Sequence, residues 1–282
     1  MSNGDFEQFR AWIGRSETAH DTVEPWRAQA LAGALGRAEP WPRVSEAFPA
    51  CWHWILFRPL VAASATGDDG HPARGGFLPP VPLPRRMWAG GRLQFHQTLV
   101  IGEAVRRVST VKNVTAKQGK SGPLVFVEVE HQIEGTKGLA ITEQHDIVYR
   151  GVEGAAVAAS DVPAETGQWT RVWTPDDVLL FRYSALTYNG HRIHYDRRYV
   201  TQVENYPGLI VHGPLIATLL LELAHEATGK FPSSFAFRAR RPVFDGTVLT
   251  THAAANGDGL RLWATDQAGA LAMEAEVGYA PP

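Results

Sequence analysis

Residues 211–228 read VHGPLIATLLLELAHEAT, and this stretch decides where the centre of the fold lies. Pro214 suits the first turn of a helix, and the residues that follow it are mostly apolar. We therefore predict a long buried helix over residues 214–228. The run is not a membrane span, because His212 and Glu222 interrupt the apolar residues around it.

Strand patterns follow this helix and also occupy the middle of the chain. After the helix, we predict strands near residues 234–244, 247–255, 259–265 and 269–279, the last with apolar residues at every second position. In the first half, the predicted strands cover residues 92–101, 104–116, 123–134 and 138–149. They are preceded by a helix over 21–36 capped by Asp21 or Thr22, a buried helical segment within 44–60, and a long loop over 61–91.

The order of a helix followed by four strands thus occurs twice, which favours two copies of one unit. Residues 92–102 and 236–246 both resemble a strand that ends in a glycine turn, at an offset of 144 residues. The predicted fold class is α+β, a double hot-dog in which antiparallel sheets wrap a central helix. The predicted domains are 1–150 and 173–282, joined by a linker over 151–172.

Composition excludes several functional classes. The 282 residues include 27 basic and 29 acidic ones, so the net charge of −2 disfavours a nucleic-acid binder. The single cysteine, Cys51, allows no intramolecular disulfide and no cysteine-based zinc site, which favours a cytoplasmic protein. The first 15 residues lack the apolar core of a secretory signal, and we expect no membrane partner.

The polar residues are densest over 183–196, YSALTYNGHRIHYD, a short distance before the apolar helix. His191 and His194 can transfer protons at neutral pH, and Gly213 would present a free N–H at the start of the helix. Such an N–H stabilises the negative charge that develops on a thioester carbonyl. A pair of surface histidines and a metal pair are the alternatives, but no third metal ligand is obvious.

Residues 184–196 and 206–214 resemble the hydratase motif of the MaoC-like, R-specific enoyl-CoA hydratase family. Within that family they are most similar to the type 2 3-hydroxyacyl-thioester dehydratases and the mesaconyl-C4-CoA and itaconyl-CoA hydratases. The segment LPRRMWAG, residues 83–90, resembles the first half of the same group. The resemblance spans nearly the whole chain.

The resemblance assigns roles to individual residues. His194 takes the place of the catalytic histidine, and Gly213 that of the residue whose N–H forms the oxyanion hole. Asn189 stands where the wider family has a catalytic aspartate. Because an amide cannot act as a carboxylate base, Asn189 would position water, leaving His194 as the main acid/base and His191 as a second candidate.

Basic and aromatic residues are the predicted substrate-binding groups. Arg240 and Arg241, together with Arg85 and Arg86, are candidates for the phosphates of coenzyme A. For Arg85 and Arg86, a carboxylate at the far end of the acyl group is an alternative ligand. For all four arginines, the alternative is that they lie on the surface and bind no ligand. Trp88 is a candidate wall of the acyl pocket or a core residue.

These observations predict a hydro-lyase that adds water reversibly to a 2,3-enoyl-CoA. The resemblance favours a small dicarboxylic acyl group, such as the mesaconyl-C4 or itaconyl group, and a homodimer. We expect no metal and no cofactor other than the coenzyme A of the substrate. A hot-dog acyl-CoA thioesterase and a non-catalytic acyl-CoA binding module remain the alternatives.

Overall fold

The computed structural model describes residues 3–119, 122–151 and 165–280. In the first half, a 3₁₀ segment, Asn3–Trp12, precedes strand β1, Ser16–Thr22, and helix α1, Pro25–Ala34. Short 3₁₀ turns at Trp52–Ile55 and Ala63–Ala65 lead into four long strands. These are β2, Arg85–Phe95; β3, Ala104–Gly119; β4, Gly122–Gly135; and β5, Gly138–Arg150.

The second half repeats this plan with more helix. It begins with β6, Trp169–Trp173, and α2, Asp177–Thr187, followed by a 3₁₀ turn at Arg192–His194. Helices α3, Arg197–Gln202, and α4, Gly213–Thr228, complete the helical part. The last strands are β7, Ser234–Ala239; β8, Leu249–Asn256; β9, Gly259–Thr265; and β10, Leu271–Gly278. In the described ranges, no helix is long and apolar enough to cross a membrane.

All ten strands form one antiparallel sheet in the order β1-β3-β4-β5-β2-β7-β10-β9-β8-β6. Counted inward from each edge of the sheet, the strands of the two halves follow the same order. The two halves meet where β2 pairs with β7, from Gly90↔Arg238 to Gln94↔Ser234. The pairing requires a small residue, since a Cβ on Gly90 would press on the Phe237 carbonyl. The predicted α+β double hot-dog fold is confirmed, and the two similar stretches 144 residues apart, 92–102 and 236–246, begin within these seam strands.

Helix α4 forms the core of the second half. All residues from Leu215 to Ala224 are buried, and the leucines among them pack against sheet residues such as Leu249 and Leu262. Each fully buried leucine contributes about 2 kcal/mol to stability. The apolar character that predicted this helix therefore reflects burial on nearly every side.

Two helix predictions in the first half were wrong in part. Residues 44–60 form only the 3₁₀ turn Trp52–Ile55, because Cys51 and Phe57 adopt positive φ angles of 64° and 53° that end helical geometry on both sides. Most apolar side chains from Phe48 to Phe57 are nevertheless buried, whereas Val44 and Leu60 are exposed. Helix α1 begins at Pro25 rather than near residue 21, because Asp21 lies at the end of β1 and binds Arg27 at 2.6 Å instead of capping the helix.

Two predicted segment boundaries also differ from the structure. The long loop ends at residue 84, because Arg85 already pairs with Arg150 in the sheet. Strand β6 begins at Trp169, inside the predicted linker, because the segment 169–173 pairs with β8. Residues 152–164 of that linker lie outside the described residues, so the domain division stays a prediction.

Candidate active site

Four imidazole rings form a row at the N-terminus of α4. His212, the residue before the helix, stacks on His194 with a centroid distance of 3.7 Å. His191 meets His194 edge-on at 5.5 Å, and His71 lies 4.1 Å from His191. The first three histidines belong to the second half, whereas His71 comes from the long loop of the first half. The site therefore combines residues from both halves.

His194 is held in one tautomer. It ends the 3₁₀ turn Arg192–His194, is 7% exposed, and donates its Nδ1 hydrogen to the Ile210 carbonyl at 2.7 Å. Burial lowers the pKa of His194 to about 4, so the ring is neutral at physiological pH. Its Nε2 atom therefore carries a free lone pair and can accept a proton from water or substrate.

His212 supports His194 from behind. It is fully buried, its Nε2 is hydrogen-bonded to the Ser184 hydroxyl at 2.8 Å, and its Nδ1 has no partner among the described residues. Burial lowers the pKa of His212 well below its ordinary value, so two neutral rings can stack without charge repulsion. The sequence predicts His212 only as part of the helix start, and its stacking on His194 becomes visible in the structure.

The loop of Asn189 and His191 is fixed by a hydrogen bond of its own. Asn189 follows Tyr188, whose positive φ of 54° ends α2, and its Oδ1 accepts the backbone N–H of His191 at 3.0 Å. The amide oxygen is thus used within the loop. Burial lowers the pKa of His191 well below its ordinary value, so this ring is also neutral.

Gly213 is the first residue of α4. The first N–H groups of a helix have no acceptor within the helix, and Pro214 has no N–H, so Gly213 and Leu215 present the available donors. A Cβ built on Gly213 would find no atom within 4 Å. The space at the Cα of Gly213 is therefore open, and its N–H has no acceptor within the helix.

Asp69 and His71 join this site, although neither is among the site residues predicted from the sequence. The Asp69 carboxylate accepts the backbone N–H of His71 at 2.9 Å and its Nδ1 hydrogen at 3.1 Å. The ligand atoms of Asp69, His71 and His191 all lie within 4.8 Å of one another. The stretch GDDGHP, residues 67–72, was the available signal, since it places an acid and a histidine in a loop of functional length. The expected absence of a metal stays a prediction.

Arg85 and Arg86 point to opposite faces of β2, because side chains alternate along a strand. Arg85 is buried and donates to the Glu204 carboxylate at 3.0 Å and to its carbonyl at 2.6 Å. It therefore anchors the Glu204 loop. Burial is the main cause of the lowered pKa values of His71 and His191, and the positive charge of Arg86 lowers both further. The Arg86 guanidinium thus lies close to the histidine row.

Trp88 belongs to an aromatic wall on the same strand. Its ring stacks on His145 at 4.0 Å and meets Trp54 at 5.1 Å and Phe237 at 5.5 Å. Behind this wall, the buried Glu143 accepts hydrogen bonds from Trp54 Nε1 and His53 Nε2, both at 3.0 Å. The wall is therefore fixed by polar contacts, and the first half supplies an ordered apolar surface near the seam.

The remaining predicted residues lie elsewhere. Arg240 and Arg241 follow β7, where Arg240 pairs with Glu274 and Arg241 with Asp266, the latter at 3.3 Å. Both guanidiniums have carboxylate partners near the surface. Their phosphate-binding role, like that of Arg85, stays a prediction.

Comparisons with known proteins agree with this geometry. Residues 51–245 match the family hydroxyacyl-thioester dehydratase type 2. The chain is 45% identical to the mesaconyl-C(4)-CoA hydratase of Chloroflexus aurantiacus over 98% of this chain and 99% of that one. The protein belongs to the hydroxyacyl-thioester dehydratase type 2 family, and it is an enzyme of the hydratase/dehydratase class. The resemblance drawn from residues 184–196 and 206–214 is confirmed.

Solved structures agree on the fold. HtdX of Mycobacterium tuberculosis superposes with a TM-score of 0.68 at 17% identity, covering 94% of this chain and all of that one. A second Mycobacterium tuberculosis protein, described as a double hotdog fold, superposes with a TM-score of 0.56 at 16% identity, covering 94% of this chain and 95% of that one.

Proposed function

We propose that this protein reversibly adds water to a 2,3-enoyl-CoA, and that its substrate is mesaconyl-C4-CoA or a close analogue with a carboxylate on the β-carbon. The observation that carries this proposal is the neutral His194, which has a free Nε2 and stacks on His212, the residue that directly precedes the Gly213 N–H at the start of α4. The relative of 45% identity over nearly the full chain supports the choice of substrate.

The site can perform the reaction without a change of oxidation state. The thioester carbonyl accepts the Gly213 N–H, and His194 Nε2 takes a proton from water as the water oxygen bonds to the β-carbon. The electrons of the double bond move toward the thioester oxygen, where the N-terminus of α4 stabilises the negative charge. His194 then gives the proton to the α-carbon. One O–H bond and the π bond of the double bond break, and one C–O and one C–H bond form.

Asn189 has a supporting role in this proposal. Its Oδ1 is bound to the backbone of His191, which leaves the amide NH₂ to hold the oxygen of water or of the β-hydroxyl product. His191 lies between His194 and His71, so it limits the space in which water can move.

Arg86 is the group that would recognise a dicarboxylic substrate. In mesaconyl-C4-CoA, the carbon that receives the hydroxyl group also bears a carboxylate. That carboxylate must lie near the histidine row, and the charge of Arg86 acts on His71 and His191 of this row. A guanidinium binds a carboxylate through two parallel hydrogen bonds. Trp88 would contact the apolar part of the acyl chain.

The purified protein should be incubated with mesaconyl-C4-CoA and with crotonyl-CoA. We expect loss of the enoyl-thioester absorbance with mesaconyl-C4-CoA and no release of free thiol. Release of thiol would identify a thioesterase, and neither change with either substrate would indicate a binding module.

Other features remain part of the proposal. Coenzyme A as carrier, a homodimer and a cytoplasmic location rest on the family resemblance and on composition. Comparing an acyl-CoA with the same acyl group on acyl carrier protein tests the carrier, and light scattering of the purified protein tests the dimer.

A further inference from the structure

The Asp69–His71 pair lies outside the hydratase motif, yet the fold places it against that motif. The backbone N–H of Arg192 donates to the Asp69 carbonyl at 2.9 Å, and the Arg192 guanidinium donates to the Asp68 carbonyl at 3.1 Å. A Cβ on Gly70 would collide with the Gly190 carbonyl, and a Cβ on Gly190 with the Gly70 carbonyl. The two loops therefore pack so closely that neither Gly70 nor Gly190 leaves room for a side chain.

Asp69 orients the His71 ring so that its second nitrogen can accept a hydrogen bond. Asp69 binds the Nδ1 hydrogen of His71, which leaves Nε2 of the neutral ring with a free lone pair. Burial alone would raise the pKa of Asp69, but its hydrogen bonds with the side chain and backbone of His71 and the positive charge of Arg86 lower it well below its ordinary value. Asp69 is therefore ionised and stabilises any positive charge on His71.

The hydratase loop itself lacks a free carboxylate. Position 189 is an amide, and Asp196 binds the Arg192 guanidinium at 2.8 Å and caps α3 through the N–H of Tyr199 at 2.9 Å. Among the described residues, Asp69 is the carboxylate that hydrogen-bonds to a histidine of the row. Water has two hydrogens, and His194 accepts one of them in the proposed reaction.

We propose that His71, held by Asp69, is a second catalytic residue, which accepts a hydrogen bond from the second hydrogen of the attacking water. The first half of the chain thus supplies the hydrogen-bond acceptor that Asn189 cannot provide. This proposal rests on the proposed hydration. As the C–O bond forms, His71 keeps its hydrogen bond to the new hydroxyl group, while His194 moves the other proton to the α-carbon. Asp69 acts through His71 and is a positioning residue.

A metal ion is the competing use of Asp69, His71 and His191. The cluster already faces two cations, because Arg86 and Arg74 both act on His71 and Arg86 acts on Asp69 as well. A divalent cation would add positive charge beside them, and it would have to displace the hydrogen bond between Asp69 and His71 or bind around it. The charges therefore favour the catalytic pair.

The test compares Asp69→Asn and His71→Ala with Asp68→Asn, which removes the exposed neighbouring carboxylate and keeps the backbone bond to Arg192. We expect His71→Ala to lower kcat by about 10²-fold and Asp69→Asn by at least about tenfold, with KM little changed. Asp68→Asn should match the wild type. Circular dichroism and thermal unfolding confirm that each variant is folded.

The pH profile separates catalysis from a structural role. The groups facing His71 are Asp69, His191, His194, Arg86 and Arg74. Asp69 raises the pKa of His71 relative to burial alone, so Asp69→Asn should lower this pKa. Since His71 must be neutral to accept hydrogen, the acid limb of kcat/KM should move to lower pH in Asp69→Asn and stay in place in Asp68→Asn.

Three outcomes would overturn the proposal in distinguishable ways. Wild-type protein that hydrates neither mesaconyl-C4-CoA nor crotonyl-CoA would refute the proposed function and this role with it. Active wild type with equally active Asp69→Asn and His71→Ala variants would refute only the role of the pair. One tightly bound metal ion per chain, with activity lost on chelation and restored by that metal, would assign the cluster to metal binding.

Discussion

Replacing His194 by alanine is the change from which the site predicts the largest loss of activity. The variant lacks the Nε2 atom that takes a proton from water. Because general acid–base groups contribute roughly 10²–10⁴-fold, kcat should fall by at least about 10², which corresponds to about 2.7 kcal/mol of transition-state stabilisation. Substrate binding through Gly213 and Arg86 should persist, so KM should change less than kcat.

The effect on stability should be smaller and separable. Removing the ring leaves the Ile210 carbonyl without its donor, which costs about 1–3 kcal/mol against a typical total of about 5–15 kcal/mol. The protein should therefore stay folded at assay temperature. His225→Ala, which removes an exposed histidine near the end of α4, is the matched control and should behave as wild type. A His194→Ala variant with near wild-type kcat would refute this assignment, and His191 would become the next candidate.

Three further predictions concern substrate, loop and acid stability. Asn189→Asp should reduce kcat, because it adds negative charge near the developing enolate; unchanged or higher kcat would show that an amide is merely tolerated there. Arg86→Gln should raise KM for mesaconyl-C4-CoA at least about tenfold but leave crotonyl-CoA nearly unaffected, and an equal change for both would exclude carboxylate recognition. Burial lowers the pKa to about 3 in His131 and to about 4 in His145 and His194, so the unfolded chain binds more protons below about pH 6.5. The free energy of unfolding should therefore fall as pH drops from about 6.5 toward 4, by up to about 4 kcal/mol per pH unit, and urea titrations that show no such fall would contradict neutral buried rings.

Local sequence patterns predicted the long helix and the last strands of the second half well, but not α2 or β6. The apolar residues of α4 and the alternation in β10 report directly on burial, and both elements lie within two residues of the predicted bounds. The segment 44–60 is also rich in apolar residues, but those that are buried pack around Trp52 as irregular chain and not as a helix. Apolar composition predicts that a segment is buried, but it does not predict the positive φ angles of Cys51 and Phe57 that prevent a helix there.

The site was predictable only where its residues are close in sequence. His194, His191 and Gly213 come from one continuous motif, whereas Asp69 and His71 reach it from more than a hundred residues away through the contact of Gly70 with Gly190. Likewise, alternation along β2 separates Arg85 from Arg86, but only the ion pair with Glu204 shows which of them is committed elsewhere. Which distant residues join the site depends on contacts between the two halves, and these contacts cannot be predicted from local patterns in a single sequence.

The most direct test of the central claim is to follow the oxygen of water during the reaction. The enzyme should be incubated with mesaconyl-C4-CoA in heavy-oxygen water, and the products analysed by mass spectrometry. Hydration should give a product with an intact thioester, one heavy oxygen in a new hydroxyl group on the β-carbon, and one new hydrogen on the α-carbon. Heavy oxygen in a released free acid, together with free coenzyme A, would show attack on the carbonyl and would contradict the account.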